Sequence, residues 1–261
     1  MNRRQMNIRQ RTEGSFRRLI AWLTLLSFIA QPTIAAAQMA ADPSAGAYMP
    51  HIETTANGLP LVQITDPSAA GVSRNQFTDF NVDPQGAILN NATSLSLTQQ
   101  AGYVDANPYL TQGSARVILN EVTGTGASSL RGYTEVAGQQ AEVVIANPNG
   151  ITCDGCGFIN ASRGVLSTGT PLFGGTGSLD AFRVTGGNIT ITGDEQGGGL
   201  NAGNIDQVDL ISRTVNVNSS LWANHLNVIT GANQVNYADL AATPITGEGA
   251  QPQVSLDVAA L

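Results

Sequence analysis

Lysine occurs nowhere in the 261 residues. The phosphate-binding loop G-x-x-x-x-G-K is therefore impossible, and the chain has neither a G-x-G-x-x-G after a strand nor a serine in G-x-S-x-G. Charge of either sign is scarce, at 12% of residues. Half of the twelve basic residues stand in the first 18 positions: Arg3, Arg4, Arg9, Arg11, Arg17 and Arg18. From residue 38 onward six arginines face eighteen acidic residues, a formal charge of −12. Such a surface repels nucleic acid and anionic lipid, and the basic aromatic groove that single strands need is missing. No nucleic-acid partner is expected.

Long apolar runs are missing too. The stretch LIAWLTLLSFIA, residues 19–30, falls short of the roughly 20 residues that cross a bilayer. It follows the arginines and leads into QPTIAAAQ, with small residues at Ala35 and Ala37. A basic segment, a short apolar segment and an A-x-A end predict a secretory signal peptide over residues 1–37, handled by the Sec machinery and cut between Ala37 and Gln38. A twin-arginine address through Arg17 and Arg18 fits poorly in its flanking residues.

Catalytic residue types are thin as well. His51 and His225 are the two histidines, and a lone strand histidine such as that in LWANHLNVI reads as packed or solvated. Asp194 and Glu195 sit in GDEQGGG, a solvated turn, and Asp206 and Asp209, three apart in a strand, face opposite sides. Neither pair offers the facing carboxylates of a glycosidase or the calcium-binding acids of a lyase. With tryptophan limited to Trp22 and Trp222, no aromatic cluster stands ready to stack on sugars. No enzyme, metal or cofactor is expected.

What the chain does have is glycine, asparagine, serine and threonine between short apolar segments. After the stretch 38–51, which reads as a linker, a cap or an N-terminal extension, strand-length runs follow: LPLVQI, GAILNN, ARVILNEV, AEVVIA, NITITG, QVDLIS, TVNVNS and HLNVIT. Alternation with period two recurs at Ile189/Ile191, Val208/Leu210, Val215/Val217, Leu226/Val228 and Val235/Tyr237. A two-layer sandwich would satisfy that pattern. Very short strands, small polar residues at corners and the lack of clean Asn-Gly hairpins favour an all-β solenoid, a parallel β-helix. Asn204, Asn216, Asn218, Asn227 and Asn236 are expected to stack as a ladder.

The two cysteines, Cys153 and Cys156, form a CxxC. A zinc site lacks two further ligands at suitable spacing, and Gly155 and Gly157 oppose the helix that a thioredoxin-like centre opens. Free thiols would meet an oxidising compartment. A small structural disulfide is the favoured reading. Just before it, Asn147-Pro148-Asn149-Gly150 has the residue preferences of a type I turn at every position. Asn107-Pro108-Tyr109-Leu110 begins the same way after another alanine, which suggests one device used twice.

These residues carry a resemblance. The run ILNEVTGTGASSLRGYTEVAGQQAEVVIANPNGITCDGCGFINASRGVLSTGTP, with the segments on either side of it, resembles the N-terminal secretion domain of two-partner secretion exoproteins over residues 52–261. That family includes filamentous haemagglutinin, related haemolysins and adhesins, and contact-dependent growth inhibition toxins. The resemblance implies a right-handed parallel β-helix with an N-terminal cap and short extra-helical β elements. It implies a secreted or cell-surface location reached through the periplasm and outer membrane of a Gram-negative bacterium. The implied partner is a TpsB-type, Omp85-like barrel transporter that recognises the domain through its POTRA domains. The family's NPNL-like and NPNG motifs map onto Asn107, Pro108, Tyr109 and Leu110, with Tyr109 in place of the usual asparagine, and onto Asn147, Pro148, Asn149, Gly150 and the following Ile151. The ending at QVSLDVAAL is expected to be a C-terminal truncation of a longer exoprotein. The alternative is an adhesin or haemagglutinin β-helix that binds a host or bacterial cell-surface receptor directly, or the N-terminal part of a contact-dependent inhibition toxin.

Overall fold

The computed structural model describes residues 39–194, 197–247 and 254–256. The expected leader, its Ala37/Gln38 junction and Glu195 lie outside the described residues. Short strands broken by Gly, Asn and Ser cannot bury an apolar face alone, and they do so here by stacking into three parallel sheets. The first face contains Val72–Phe80, Val117–Val122, Ala141–Ala146, Ala161–Ser167, Gln207–Ser212 and Leu226–Thr230. The second contains Pro60–Gln63, Ala87–Asn91, Tyr133–Gly138, Cys156–Ile159, Leu200–Ala202 and Leu221–Ala223. The third contains Ser128–Leu130, Ile151–Cys153, Asn188–Ile191, Thr214–Val217 and Val254–Leu256. The chain visits the second, first and third faces in turn, so the molecule is a parallel β-helix.

Register shows the coil length. Glu142 pairs with Val117 and with Arg163, 25 residues before and 21 after. Longer steps mark excursions. The 47 residues from Ile88 to its partner Glu135 include the hairpin Ser96–Thr98 and Gly102–Val104, whose Val104 covers Leu61, Ile88 and Ala137 on the outside of the second face. The 44 residues from Arg163 to its partner Gln207 include Thr170–Phe173 and Leu179–Val184, which join Asn233–Asn236 and Ala242–Pro244 in an antiparallel sheet.

That antiparallel sheet lies over the outside of the first face. Inward, Ile118, Val143, Ile145, Leu166, Val208 and Leu210 belong to the core of the coil. Outward, Val117, Leu119, Val144, Val165 and Ile211 pack against Phe182, Val184, Val235 and Tyr237. Strands buried on both faces carry unbroken apolar stretches rather than alternation, as VIL does in Val117–Val122 and VVIA in Ala141–Ala146. The pair Val235/Tyr237, expected in a coil, belongs instead to this outer layer, since its strand pairs antiparallel with Leu179–Val184.

Of the two readings of the N-terminal stretch, linker and cap, the strand pairing gives the cap. Met39–Ala41 pairs antiparallel with Val72–Phe80, and His51–Thr54 with Pro60–Gln63, so the boundary expected at residue 52 falls inside a strand. Both cover edges that the first coil would otherwise leave open. Arg74 fastens the cap to the outer sheet: its guanidinium lies 4.7 Å from the centre of the Tyr48 ring and 4.3 Å from that of Phe173, and it pairs with Glu121 at 2.8 Å.

The expected asparagine ladder is not the one that forms. Asn160, Asn204 and Asn224 occupy the corner between the second and first faces, where their amides donate to Val136 O at 2.8 Å, Phe158 O at 2.6 Å and Ile205 O at 2.8 Å. Asn216 is flanked by Thr190 and Ser255, Asn227 by Asp209, and Asn236 lies in the antiparallel sheet. Asn218 stands past its strand, its N–H donating to Ile191 O. A ladder needs the same residue at the same register, and uneven coil lengths deny that to all of these except Asn204.

Candidate functional site

The two Asn-Pro turns fold as one device at two different corners. Asn147 follows the first-face strand Ala141–Ala146 and is fully buried. Its Nδ2 donates to Gly126 O at 2.9 Å and to Ser128 Oγ at 3.0 Å, and its Oδ1 accepts the N–H of Asn149 at 2.9 Å. The Gly150 N–H donates to Asn147 O at 3.1 Å, which closes the turn. Asn107, also buried, follows the hairpin excursion. Its Nδ2 donates to Ile64 O and Asn90 O, both at 2.9 Å, and its Oδ1 accepts the N–H of Tyr109 at 2.9 Å. An asparagine amide has the donors and acceptor for this arrangement, and the following proline presets the turn.

Each motif is thereby divided. Pro108, Tyr109, Pro148 and Asn149 face outward, whereas Asn107, Asn147, Gly150 and Ile151 are buried. Leu110 is half-buried against the core. Tyr109 stacks flat on His51 of the cap, with ring centres 4.2 Å apart. Asn149 also reaches back, its Nδ2 donating to Gly124 O at 2.8 Å.

Cys153 and Cys156 are joined by a disulfide across the corner between the third and second faces, with Cα atoms 5.3 Å apart. Both are buried in the core. Gly155 takes a φ of 85° inside the loop, and the N–H groups of Gly155 and Cys156 both donate to Gly199 O in the next coil. Among the described residues no group of three or more His, Cys, Asp or Glu is placed to hold a metal ion.

The acidic residues weighed above separate further than their spacing suggests. Asp206 is exposed at a corner before the strand Gln207–Ser212 begins, whereas Asp209 is buried within it. Asp209 accepts from Arg163 Nε at 2.5 Å. His225 lies at a corner rather than within a strand, its Nδ1 3.0 Å from Asp206 O. The ion cluster of Arg163, Glu142, Asp209 and Tyr237 had no signal in the sequence, because its members come from four separate strands or loops.

Exposed apolar residues gather before the first Asn-Pro turn, where sequence reasoning had not placed them. Leu95, Leu97 and Tyr103 stand 62%, 68% and 70% exposed on or beside the hairpin that precedes Asn107, with Leu97 directly opposite Tyr103. The alternation in SLSLT marks the two leucines.

Residues 37–261 match the family of the TPS secretion domain. The chain is 49% identical over 249 residues to "Toxin CdiA" of Yersinia pestis, covering 95% of this chain and 7% of that protein. It is 44% identical over 249 residues to "16S rRNA endonuclease CdiA" of Enterobacter cloacae, covering 95% of this chain and 7% of that one. The chain thus spans less than a tenth of the length of these curated relatives. Among solved structures, the filamentous hemagglutinin secretion domain superposes with a TM-score of 0.72 at 33% identity, covering 83% of this chain and 73% of that one.

Proposed function

The chain belongs to the TPS secretion domain family, the secretion module of CdiA and filamentous-haemagglutinin exoproteins, and from that premise we propose how its transporter reads it. Proteins of this kind are secreted or displayed by Gram-negative bacteria with the help of a TpsB partner transporter. Residues 1–37 direct export through the Sec machinery and are removed between Ala37 and Gln38. The remaining chain crosses the periplasm unfolded, and POTRA domains of an Omp85-like barrel capture it there. Extended segments around Asn107–Leu110 and Asn147–Ile151 add as strands to an exposed sheet edge, where backbone hydrogen bonds give affinity and alternate side chains give selectivity. Outside the cell the β-helix closes coil on coil, and the accumulated burial draws the chain outward without nucleotide.

The division of the Asn-Pro turns is the observation that carries this reading. Pro108, Tyr109, Pro148 and Asn149 remain exposed in the folded domain although the asparagines beneath them hold the corners. The exposed apolar residues Leu95, Leu97 and Tyr103 lie between 12 and 4 positions before Asn107 and are not used by the core. We place the toxin and nuclease activities named for the relatives outside the stretch that this chain matches.

The test is co-expression with the cognate transporter. Tyr109→Ala and Pro148→Ala should lower the secreted fraction several-fold while the refolded proteins still unfold cooperatively, each within about 1 kcal/mol of the parent. Undiminished secretion of both variants would remove the turns from recognition and leave them as corners only.

A further inference from the structure

Two Asn-Gly dipeptides occur in the chain, Asn57-Gly58 and Asn149-Gly150. Glycine after asparagine leaves the backbone nitrogen unhindered. In a mobile chain that nitrogen can lose its proton and attack the side-chain Cγ of the asparagine. The C–N bond to the amide nitrogen breaks, ammonia leaves, and a five-membered succinimide forms. Water then opens the ring to aspartate or to isoaspartate, so no oxidant or cofactor is needed.

We infer that Asn149-Gly150 is a deamidation site that folding closes, so that the second Asn-Pro turn is chemically labile only in the unfolded chain. Both reacting groups are held in the fold. The nucleophile, Gly150 N, donates its hydrogen to Asn147 O at 3.1 Å, and Gly150 is buried. The electrophile is tethered by its own amide, which donates to Gly124 O at 2.8 Å and to Asn147 Oδ1 at 3.0 Å. Cyclisation requires these bonds to break together, and Asn147 beneath them is fully buried. Reaction in the folded protein therefore waits on opening of the corner.

Asn57-Gly58 is an internal reference. Its turn is also closed, by Gly58 N–H to Thr55 O at 2.9 Å, and the Asn57 amide donates to Gln100 O at 2.8 Å. Both residues are exposed, however, and they lie in the cap rather than between stacked coils. Local opening there exposes little buried surface, so the protection is weaker.

The products at position 149 do not fit the fold. Aspartate would replace an amide donor with a carboxylate facing the carbonyls of Gly124 and Gly126, which Asn149 Nδ2 contacts at 2.8 and 3.4 Å. Isoaspartate lengthens the main chain by one methylene just before Ile151. That residue is in register with Ser128 on one side and Ile189 on the other. A chain that ages at Asn149 before it folds therefore fails to close this coil, whichever machinery delivers it.

The full chain is incubated in parallel as folded protein and in concentrated urea, in mildly alkaline buffer. Peptide mapping with electron-based fragmentation then separates Asn, Asp and isoAsp at both sites. In urea the two sites should convert at comparable rates. In the folded protein Asn149 should slow by more than about tenfold, and by a larger factor than Asn57. Conversion of Asn149 as fast in the folded protein as in urea, or no conversion in urea, overturns the inference. After dilution from urea, isoAsp149 should collect in the protease-sensitive unfolded pool, with isoAsp57 divided between pools. Equal division of isoAsp149 overturns the folding consequence.

Discussion

The guanidinium of Arg163 lies 4.5 Å from the centre of the Tyr237 ring, and its Nη2 donates to the backbone carbonyl of the same tyrosine at 3.1 Å. One arginine of the coil thus holds both the side chain and the main chain of a residue 74 positions later in the outer layer. Glu142 and Asp209 complete the cluster: Tyr237 Oη donates to Glu142 at 2.5 Å, and Asp209 accepts from Arg163. The burial that disfavours the Arg163 charge is outweighed by Asp209 and by the other groups around it, so its pKa rises. A buried charge is tolerable because it is paired on several sides.

Burial, and then the Glu142 carboxylate, push the Tyr237 phenol well above its usual value. A raised folded-state pKa favours the protonated form, so this contribution is present below the unfolded value of about 10 and is lost as pH rises beyond it. Urea unfolding between about pH 8 and pH 11 should show stability falling above pH 10 with a limiting slope near 1.4 kcal/mol per pH unit from this residue. Tyr237→Phe should remove that share of the slope and cost about 1.5–3 kcal/mol at neutral pH, through the lost bond to a charged group. Equal alkaline slopes in both proteins would contradict the assignment.

Asn147→Ala and Pro148→Ala should separate corner from surface. The first strips the donors from Gly126 O and Ser128 Oγ and the acceptor from Asn149 N–H, and should lower stability by about 2–3 kcal/mol. The second removes only a conformational restraint, worth about 0.4–1 kcal/mol. Denaturant titration of the two purified variants decides whether the asparagine has the larger structural share.

Replacing both cysteines with alanine opens a loop of four residues. Loop entropy predicts a loss of about 2 kcal/mol. With both sulfurs buried, a reductant applied to the folded protein and then removed should leave no titratable thiol, and the same reductant applied in denaturant should give two. Thiols that appear without denaturant would show a corner that opens on its own.

Gly164 offers a packing test. A Cβ there would stand 2.5 Å from the Phe158 ring, which is itself fully buried. Gly164→Ala should destabilise by about 1–3 kcal/mol, and adding Phe158→Leu should recover part of that loss. Strictly additive losses in the double variant would mean that the two sites do not touch.

The eight alternating segments picked out from the sequence all contain strands of the coil, because period two with corner residues leaves little else to form. Val72–Phe80 was not among them. Its inward set mixes Ser73 and Asn75 with Phe77, and Asn75 Oδ1 serves the Thr65 N–H inside the coil, so polar residues break the pattern where the core itself is polar. The antiparallel layer escaped for another reason. Phe182 pairs with Val235, 53 positions later, and local periodicity carries no signal for a pairing so distant. The Asn-Pro turns were readable as turns. Their acceptors were not, since Gly126 and Ser128 meet Asn147 only when one coil lies on the previous one.

The corner asparagines share a direction. Asn107 donates to residues 64 and 90, Asn147 to 126 and 128, Asn149 to 124, Asn160 to 136 and 138, Asn204 to 158, and Asn224 to 203 and 205. In these six every acceptor precedes its donor in the chain, whereas Asn57, Asn91 and Asn120 donate forward, to residue 100, to 115 and 139, and to 144. For a polypeptide that emerges N-terminus first, each of the six arrives to find its partners already through, and backward slippage must undo a finished corner. In a chain emerging in that order these amides would serve as the pawl of a ratchet whose teeth are the carbonyls of the coil before.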